Sequence, residues 1–310
     1  MRKGYDVITL FDICADLIMD LGVTIPEFGQ KERLVNGYSL EMGGSGCIFA
    51  SGIAKLGLKV SGAGYAGNDA LGEIVVSTLK EAGVDTSHIR RGDAKTAITL
   101  CMSKPSGDRS LLTYLGQMDS VHSEWIDELL GRTKHFHICG YYLLKSLQPV
   151  YPALLKKAKK QGVSISLDTN WDPEEKWDGG IREILQYVDF FLPNEQELIS
   201  ISGKNTIDEA LKYVNKFVPL IVVKCGNWGA FSFQKGVVTR AKGITKNVVD
   251  TVGAGDSFDA GFVYAYLSGY SIEDCIKAGI FCGSESTVRV GGTSGQPKHD
   301  ELVKYLENSR

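Results

Sequence analysis

Asp250-Thr251-Val252-Gly253-Ala254-Gly255-Asp256-Ser257-Phe258 joins a β-rich segment to an amphipathic helix. The helix carries an apolar stripe through Phe258, Phe262, Ala265 and Tyr266 and stops at Gly269, so its N-terminus falls near Ala254–Asp256. Gly253 and Gly255 let backbone N–H groups approach an anion, and a helix N-terminus adds partial positive charge. Asp256 stands beside that nest, where a carboxylate can accept the proton of an attacking hydroxyl. A nest for a negative group next to a proton acceptor suggests phosphoryl transfer to a hydroxyl. The plainer reading of Asp256 is a helix-capping carboxylate.

The flanking sequence alternates strands and helices. Strands are expected at Tyr5–Phe11, Lys59–Tyr65, His135–Cys139, Ser164–Leu167, Val188–Leu192 and Leu220–Lys224. Helices are expected at Ser45–Leu56, Asp69–Ala82, Pro149–Lys160, Asn194–Ser200, Ile207–Phe217 and Ile272–Val290. This rhythm predicts an α/β fold with a mostly parallel sheet and helices on both faces. Two regions, approximately 16–40 and 95–115, alternate apolar and polar residues instead, with turn residues at Pro105-Ser106-Gly107-Asp108. They read as a small inserted sheet, either a lid that excludes water from the reaction or a peripheral hairpin.

Composition narrows the function. The chain has 310 residues, 43% hydrophobic and 23% charged, with a formal net charge of -3, ordinary for one large globular domain. No long basic run supports nucleic-acid binding, and no apolar run reaches the length of a membrane span. Seven scattered cysteines without a Cys-x-x-Cys pair suggest reduced thiols in a cytoplasm, and Cys47, Cys139 and Cys225 read as core filler. His135 and His137 share one strand face, but no third metal ligand is evident, and packing at a strand edge is the expected role. Trp171 and Trp177 read as anchors of a loop. Gly62-Ala63-Gly64-Tyr65-Ala66-Gly67 imitates a dinucleotide-binding turn, but its last glycine precedes Asn68-Asp69 rather than opening a helix.

The nine-residue string is similar to the C-terminal signature of the ribokinase-like (phosphofructokinase-B-type) carbohydrate kinases. The likeness extends along the chain: Asp12-Ile13-Cys14-Ala15-Asp16-Leu17-Ile18, Gly43-Gly44-Ser45-Gly46, Gly67-Asn68-Asp69-Ala70-Leu71-Gly72, Gly83-Val84-Asp85 and Asn194-Glu195-Gln196-Glu197 follow that family's blocks in order. The resemblance implies a three-layer α/β/α domain over residues 1–310 with a small β lid. It also implies ATP-dependent phosphorylation of a small sugar or sugar-like alcohol, and a homodimer formed through the lid strands.

Site roles follow from the resemblance position by position. Asp256 would be the catalytic base, and Gly253, Ala254 and Gly255 would complete the anion hole with it. Asp16, Gly43 and Gly44 would hold acceptor hydroxyls. Ile48 replaces a family Asn there and would make the acceptor site more apolar. Asp168 and Asn170 end a strand and would face the phosphate or the acceptor, or Asp168 closes an Asx turn. Asp172 stands where many relatives have Arg. Arg109 would reach the site from the lid, or is a surface arginine. Thr251, Asn194, Lys224, Gly226, Gly229 and Cys282 would contact the nucleotide. Asn194 and Glu197 would arrange Mg²⁺, mostly through water. Asp250, Val252, Ser286, Arg289 and Gly291 occupy the places of a K⁺-type ion. Two alternatives stay open: a nucleoside kinase of the same fold, and a sugar sensor without turnover.

Overall fold

The computed structural model describes residues 4–104 and 109–309. Thirteen strands are described: β1 (Tyr5–Phe11), β2 (Cys14–Asp20), β3 (Gly37–Gly43), β4 (Val60–Gly67), β5 (Ile89–Gly92), β6 (Ala97–Ser103), β7 (Arg109–Tyr114), β8 (Thr133–Ile138), β9 (Ser164–Leu167), β10 (Phe190–Phe191), β11 (Leu220–Lys224), β12 (Ala230–Gln234) and β13 (Val237–Ala241). The helices are α1 (Ser45–Lys55), α2 (Ala70–Glu81), α3 (Ser123–Leu130), α4 (Tyr151–Lys160), α5 (Ile181–Leu185), α6 (Glu195–Ser202), α7 (Ile207–Val214), α8 (Ala254–Leu267), α9 (Ile272–Ser286) and α10 (His299–Asn308).

Nine strands form one sheet in the order β13-β12-β11-β10-β9-β8-β1-β4-β5. All its pairs from β11 to β5 are parallel, and β12 and β13 add an antiparallel edge. Strands buried on both faces carry continuous apolar runs, as in Leu220-Ile221-Val222-Val223. Alternate residues of such a run point to opposite faces. Ile221 and Val223 pack with α3–α7, whereas Leu220 and Val222 pack with α1, α2 and α8–α10. The result is a three-layer α/β/α fold of the ribokinase-like type.

The order of strands reverses between β1 and β8: from β1 the chain moves outward through β4 and β5, then returns to β8 and proceeds the other way. Ligands of open α/β sheets bind outside the carboxyl ends of the strands at such a switch point. The second sheet, β3-β2-β6-β7, begins directly after β1. Strand β2 is antiparallel to β3 and parallel to β6, with Asp16 opposite both Glu41 and Thr99. Ile18 and Cys101, from two strands of this sheet, pack on Val252 of the loop before α8.

Several expected boundaries shift. Residues 21–36 form no strand, so the first lid segment is two strands joined by a long exposed excursion. The turn at Pro105–Asp108 lies outside the described residues. The helix expected to reach Val290 ends at Ser286, leaving Arg289 exposed on the turn beyond it. Cys47 and Cys139 are buried as expected, but Cys225 is only partly buried, because it lies just past the end of β11.

The histidine pair also needs correction: β8 is an interior strand, not an edge. His135 and His137 are both buried, and the Ser166 hydroxyl lies 2.7 Å from His135 Nε2 and 2.8 Å from His137 Nδ1. His137 stacks on Phe49 at 3.9 Å, and burial pushes its pKa down to about 3. A depressed folded pKa means that only the unfolded chain takes up this proton between pH 6.5 and about 3, so acidification removes stability across that window. Replacing His137 by Gln should therefore cost less and less relative to wild type as pH falls. The gap in unfolding free energy should narrow by about 1.4 kcal/mol per pH unit between roughly pH 6 and 4 in urea titrations. A constant gap would show that His137 is not held neutral.

Candidate active site

The functional side chains gather where parallel strands end. Asp12 follows β1, Gly140 follows β8, Asp168 follows β9, Asn194 follows β10, and Lys224 closes β11. Asp12 accepts hydrogen bonds from Ser45 N at 2.9 Å and Gly46 N at 2.8 Å, so its carboxylate caps α1 in place of Gly44, which has no side chain. Gly44 has φ +81°, and a Cβ there would lie 2.2 Å from the Asp12 carbonyl oxygen; this turn needs glycine twice over. A Cβ on Gly43 would lie 2.1 Å from Asp16 Oδ1, so the glycine makes room for that carboxylate.

Asn170, itself at φ +58°, joins this corner. Its Oδ1 accepts from Gly140 N at 2.8 Å and its Nδ2 donates to Ser45 Oγ at 2.8 Å. The Ser45 hydroxyl also lies near enough to the Asp256 carboxylate to draw its pKa down slightly. Ser45 thus links the glycine-pair corner to α8. Asp16 is pushed up to about 7, first by burial and then by the Asp12 charge, with Arg109 opposing. Burial brings Asp12 up to about 6 against the pull of its backbone donors.

Helix α8 starts on Gly253 at φ +69°, with Ala254, Gly255 and Asp256 as its first turn. Such a turn has N–H groups without intrahelical partners, aimed out of the helix end. A Cβ on Gly253 would come within 2.7 Å of the Gly292 Cα and 2.9 Å of Ile48 Cγ2. Ile48 is therefore wedged beneath the turn and is only 3% exposed. It supports the α8 entry, which corrects the expectation of an apolar wall toward the acceptor. Asp256 is buried, and its pKa rises to about 8 through burial and the nearby Asp168 charge, opposed by Lys224.

Lys224 Nζ lies 2.6 Å from Asp168 Oδ2 and 3.3 Å from both oxygens of Asp259. Burial alone would lower the Lys224 pKa, but the two carboxylates raise it well above the ordinary value, so the ammonium is charged. Asp168 also accepts from Asn170 N at 3.2 Å. Asp168 thus closes an Asx-type contact with one oxygen and meets Lys224 with the other.

Asn194 and Glu197 form a reciprocal helix cap: Asn194 N donates to Glu197 Oε2 at 2.8 Å, and Glu197 N donates to Asn194 Oδ1 at 2.9 Å. Glu197 is buried, and burial and Asp168 push it up to about 7. A buried carboxylate with that imbalance fits a cation nearby, reached through water from oxygens the cap leaves free. Asp250 binds Val252 N at 3.0 Å and Gly291 N at 2.9 Å, bringing three of the five K⁺-type positions together. Ser286 is buried and donates to the Gly283 carbonyl at 2.8 Å, and Arg289 points into solvent, so neither joins that knot.

A cleft of about 230 Å³ opens beside the α8 turn. Lys224, Gly226, Gly229, Thr251, Ala254 and Gly255 line it, whereas Asn194 does not. Its apolar walls come from Ile244, Val248, Phe258 and Ile280, of which only Phe258 belongs to a motif. Cys282 is absent from the lining. It is buried against Gly261 of α8, where a Cβ on that glycine would lie 2.7 Å from its Sγ. One residue along a helix turns the side chain by about 100°, and Gly283 faces the cleft instead. Arg109 Nη1 donates to Thr251 Oγ1 at 3.3 Å, so the small sheet touches the cleft rim. Asp172 is buried and accepts from the backbone N–H of Glu174, Lys176 and Trp177 at 2.9, 2.9 and 2.7 Å, closing its own loop. Asp12 and Ser45 lay within quoted blocks but were assigned no role, and Asp259 escaped the sequence reading; it could have been found as the residue one helical turn after Asp256.

The chain belongs to the pfkB family of carbohydrate kinases, which it matches over residues 8–299. It is accordingly an ATP-dependent sugar kinase. It is 27% identical over 248 residues to an uncharacterized sugar kinase of Archaeoglobus fulgidus, covering 80% of this chain and 98% of that one. It is 27% identical to a ribokinase of Haemophilus influenzae, with 100% of each chain covered. The structure superposes on Arabidopsis thaliana ribokinase complexed with ribose and ATP with a TM-score of 0.82, at 23% identity and 99% coverage of both chains.

Gly43→Ala should force the Asp16 carboxylate out of place, since nothing else lies nearer to the added methyl. Steady-state kinetics should show kcat/KM for the acceptor falling by about 10²-fold, the scale of an ångström-level misplacement, with nucleotide affinity unchanged. A parallel loss of nucleotide affinity would show instead that the change disturbs α1 and α8 together.

Proposed function

We propose that this kinase transfers the γ-phosphoryl group of ATP to a hydroxyl of a small, uncharged sugar or sugar-like alcohol. The observation that carries this reading is Asp256, a buried carboxylate with a raised pKa in the first turn of α8, beside the Lys224 ammonium. The hydroxyl oxygen forms a bond to the γ-phosphorus while the bond from phosphorus to the β,γ-bridging oxygen breaks. The hydroxyl proton passes to Asp256, and ADP leaves with the bridging oxygen's electron pair. The amides of the Gly253–Asp256 turn stabilise charge on the phosphoryl oxygens, and the cleft between Gly226, Gly229 and α9 takes the nucleoside. Asp16, Asn170 and the Gly43-Gly44 backbone orient the acceptor. Mg²⁺, held through water by Asn194 and Glu197, would supply charge neutralisation on the phosphates. A monovalent cation beside Asp250 belongs to the same reading.

The acceptor side favours an uncharged ligand. Asp12, Asp16, Glu41 and Asp250 form a run of mutually interacting carboxylates there, and Arg109 is the cation that acts on Asp16. Asp172 spends its oxygens on its own loop, where a cation would be needed to hold an acid or phosphorylated sugar. The nucleoside alternative leaned on an apolar Ile48 surface, and that side chain is buried under Gly253.

ADP release should be measured on a panel of ribose, fructose, inositol, 2-keto-3-deoxygluconate and nucleosides. Turnover on an uncharged sugar or polyol is expected, and preference for the acid sugar or for nucleosides would overturn the acceptor class. Asp256→Asn should lower kcat on that acceptor by several orders of magnitude in a folded protein. Because Asp256 must lose its proton to act, and its pKa lies near 8, kcat/KM for ATP should rise with pH up to about 8. Lys224→Met should move that limb upward, since the lysine lowers the Asp256 pKa.

The same reading includes a homodimer through the small sheet. Strand β7 is exposed along its length, with Leu111 at 54%, Leu112 at 60% and Tyr114 at 56% exposure, and its outer edge is unpaired among the described residues. Light scattering should give a dimer for wild type and a monomer for Leu112→Glu; a wild-type monomer at micromolar concentration would refute this arrangement.

A further inference from the structure

Lys224 sits in a cluster richer in carboxylates than its one charge can balance. Asp168 and Asp259 touch it directly, and Glu197 and Asp256 act on it or are acted on by it through space. Asp259 is 0% exposed and Asp168 is 3% exposed. Burying such a cluster costs several kcal/mol per ion and serves the fold less well than apolar packing would. Asp259 also lies three residues after Asp256 on α8, so the two carboxyls share one helix face. An ammonium has three donors. One is directed at Asp168 at 2.6 Å, and the contacts to the Asp259 oxygens, at 3.3 Å each, are long enough to yield to a stronger acceptor. The amino group faces the turn, because a Cβ on Gly255 would lie 3.5 Å from Nζ, and Lys224 lines the cleft.

We propose that Asp259 is a positioning residue for phosphoryl transfer: with Asp168 it fixes the Lys224 ammonium beside the Gly255 turn, where the ammonium meets the terminal phosphate of the nucleotide. This rests on the function proposed above. Asp168 carries the negative charge of the pair, because it makes the short contact to Lys224. Burial pushes the Asp259 carboxyl up, and both its oxygens face the lysine at 3.3 Å. The lysine is thereby held between Asp168 and Asp259, against the Gly255 turn.

Calorimetry with ADP and with the β,γ-imido analogue of ATP, both with Mg²⁺, reads contact with the terminal phosphate without needing turnover. Wild type should prefer the analogue, and Lys224→Met should abolish that preference while leaving ADP affinity within about twofold. Asp259→Leu, which removes the polar contacts, should do the same and lower kcat by about 10–100-fold. Asp259→Asn keeps an acceptor for the lysine and a donor for Asp168, and should retain both properties. In the Lys224→Met background, Asp259→Leu should cost nothing further. Additive losses, or a folded Asp259→Leu protein with the wild-type analogue preference, would overturn the proposal. If Asp259→Leu does not fold, Asp259→Ala is measured by the same criteria; failure of both to fold assigns Asp259 to the fold and also overturns it. Absence of turnover on every acceptor, with the analogue preference intact and lysine-dependent, counts against the proposed reaction and not against the positioning role.

Discussion

One buried ammonium group holds the catalytic end of this molecule together. Lys224 ends β11, Asp168 ends the stretch after β9, and Asp259 projects from the second turn of α8. A charge removed from water needs partners at contact distance, and losing one partner leaves the others exposed to the full desolvation cost. The three elements are therefore not free to separate. The entry of α8 is fixed over the strand ends, and the Gly253–Asp256 turn is aimed into the cleft that Lys224 lines.

Close backbone approach does the rest of the positioning. Gly44 and Gly253 both turn through positive φ, one beneath the Asp12 carboxylate and one against Gly292 and Ile48. Each opens a helix, α1 and α8, at the same end of the sheet. Ser45 stands between the two: its amide donates to Asp12, its hydroxyl accepts from Asn170, and it lies close enough to Asp256 to act on its pKa. The Gly43-Gly44 corner and the proposed base therefore share one neighbour.

The small sheet is coupled to the same place. Val252, two residues before Ala254, is covered by Ile18 and Cys101, while Arg109 reaches Thr251. The loop that leads into α8 is thus shared between the turn after α9, through Asp250 and Gly291, and the small sheet. The small sheet therefore contacts the loop at both Thr251 and Val252, directly ahead of the α8 turn.

Periodicity alone was enough for the architecture. Runs such as Leu220–Lys224 between amphipathic helices admit few arrangements other than a parallel sheet covered on both faces, and the string at Asp250–Phe258 exposed its helix entry because glycine and carboxylate placement is a local property. Asn194 and Glu197 were legible for the same reason, being three residues apart. Contacts between distant segments left no local mark. Ile48 is polar-to-apolar only by comparison, and its burial under Gly253 depends on a residue more than two hundred positions away. Cys282 was misplaced because one helical step separates the cleft from the core. His135 and His137 looked like edge residues until the strand order put β8 between β1 and β9. Asp259, silent in the sequence, acquired its meaning from Lys224 and Asp168, which are distant along the chain and come together because the sheet sets β11 and β9 on either side of β10. Local chemistry thus determined the fold class and the nest, and tertiary packing decided which charges face one another, since burial and pairing are properties of the assembled sheet and not of any segment.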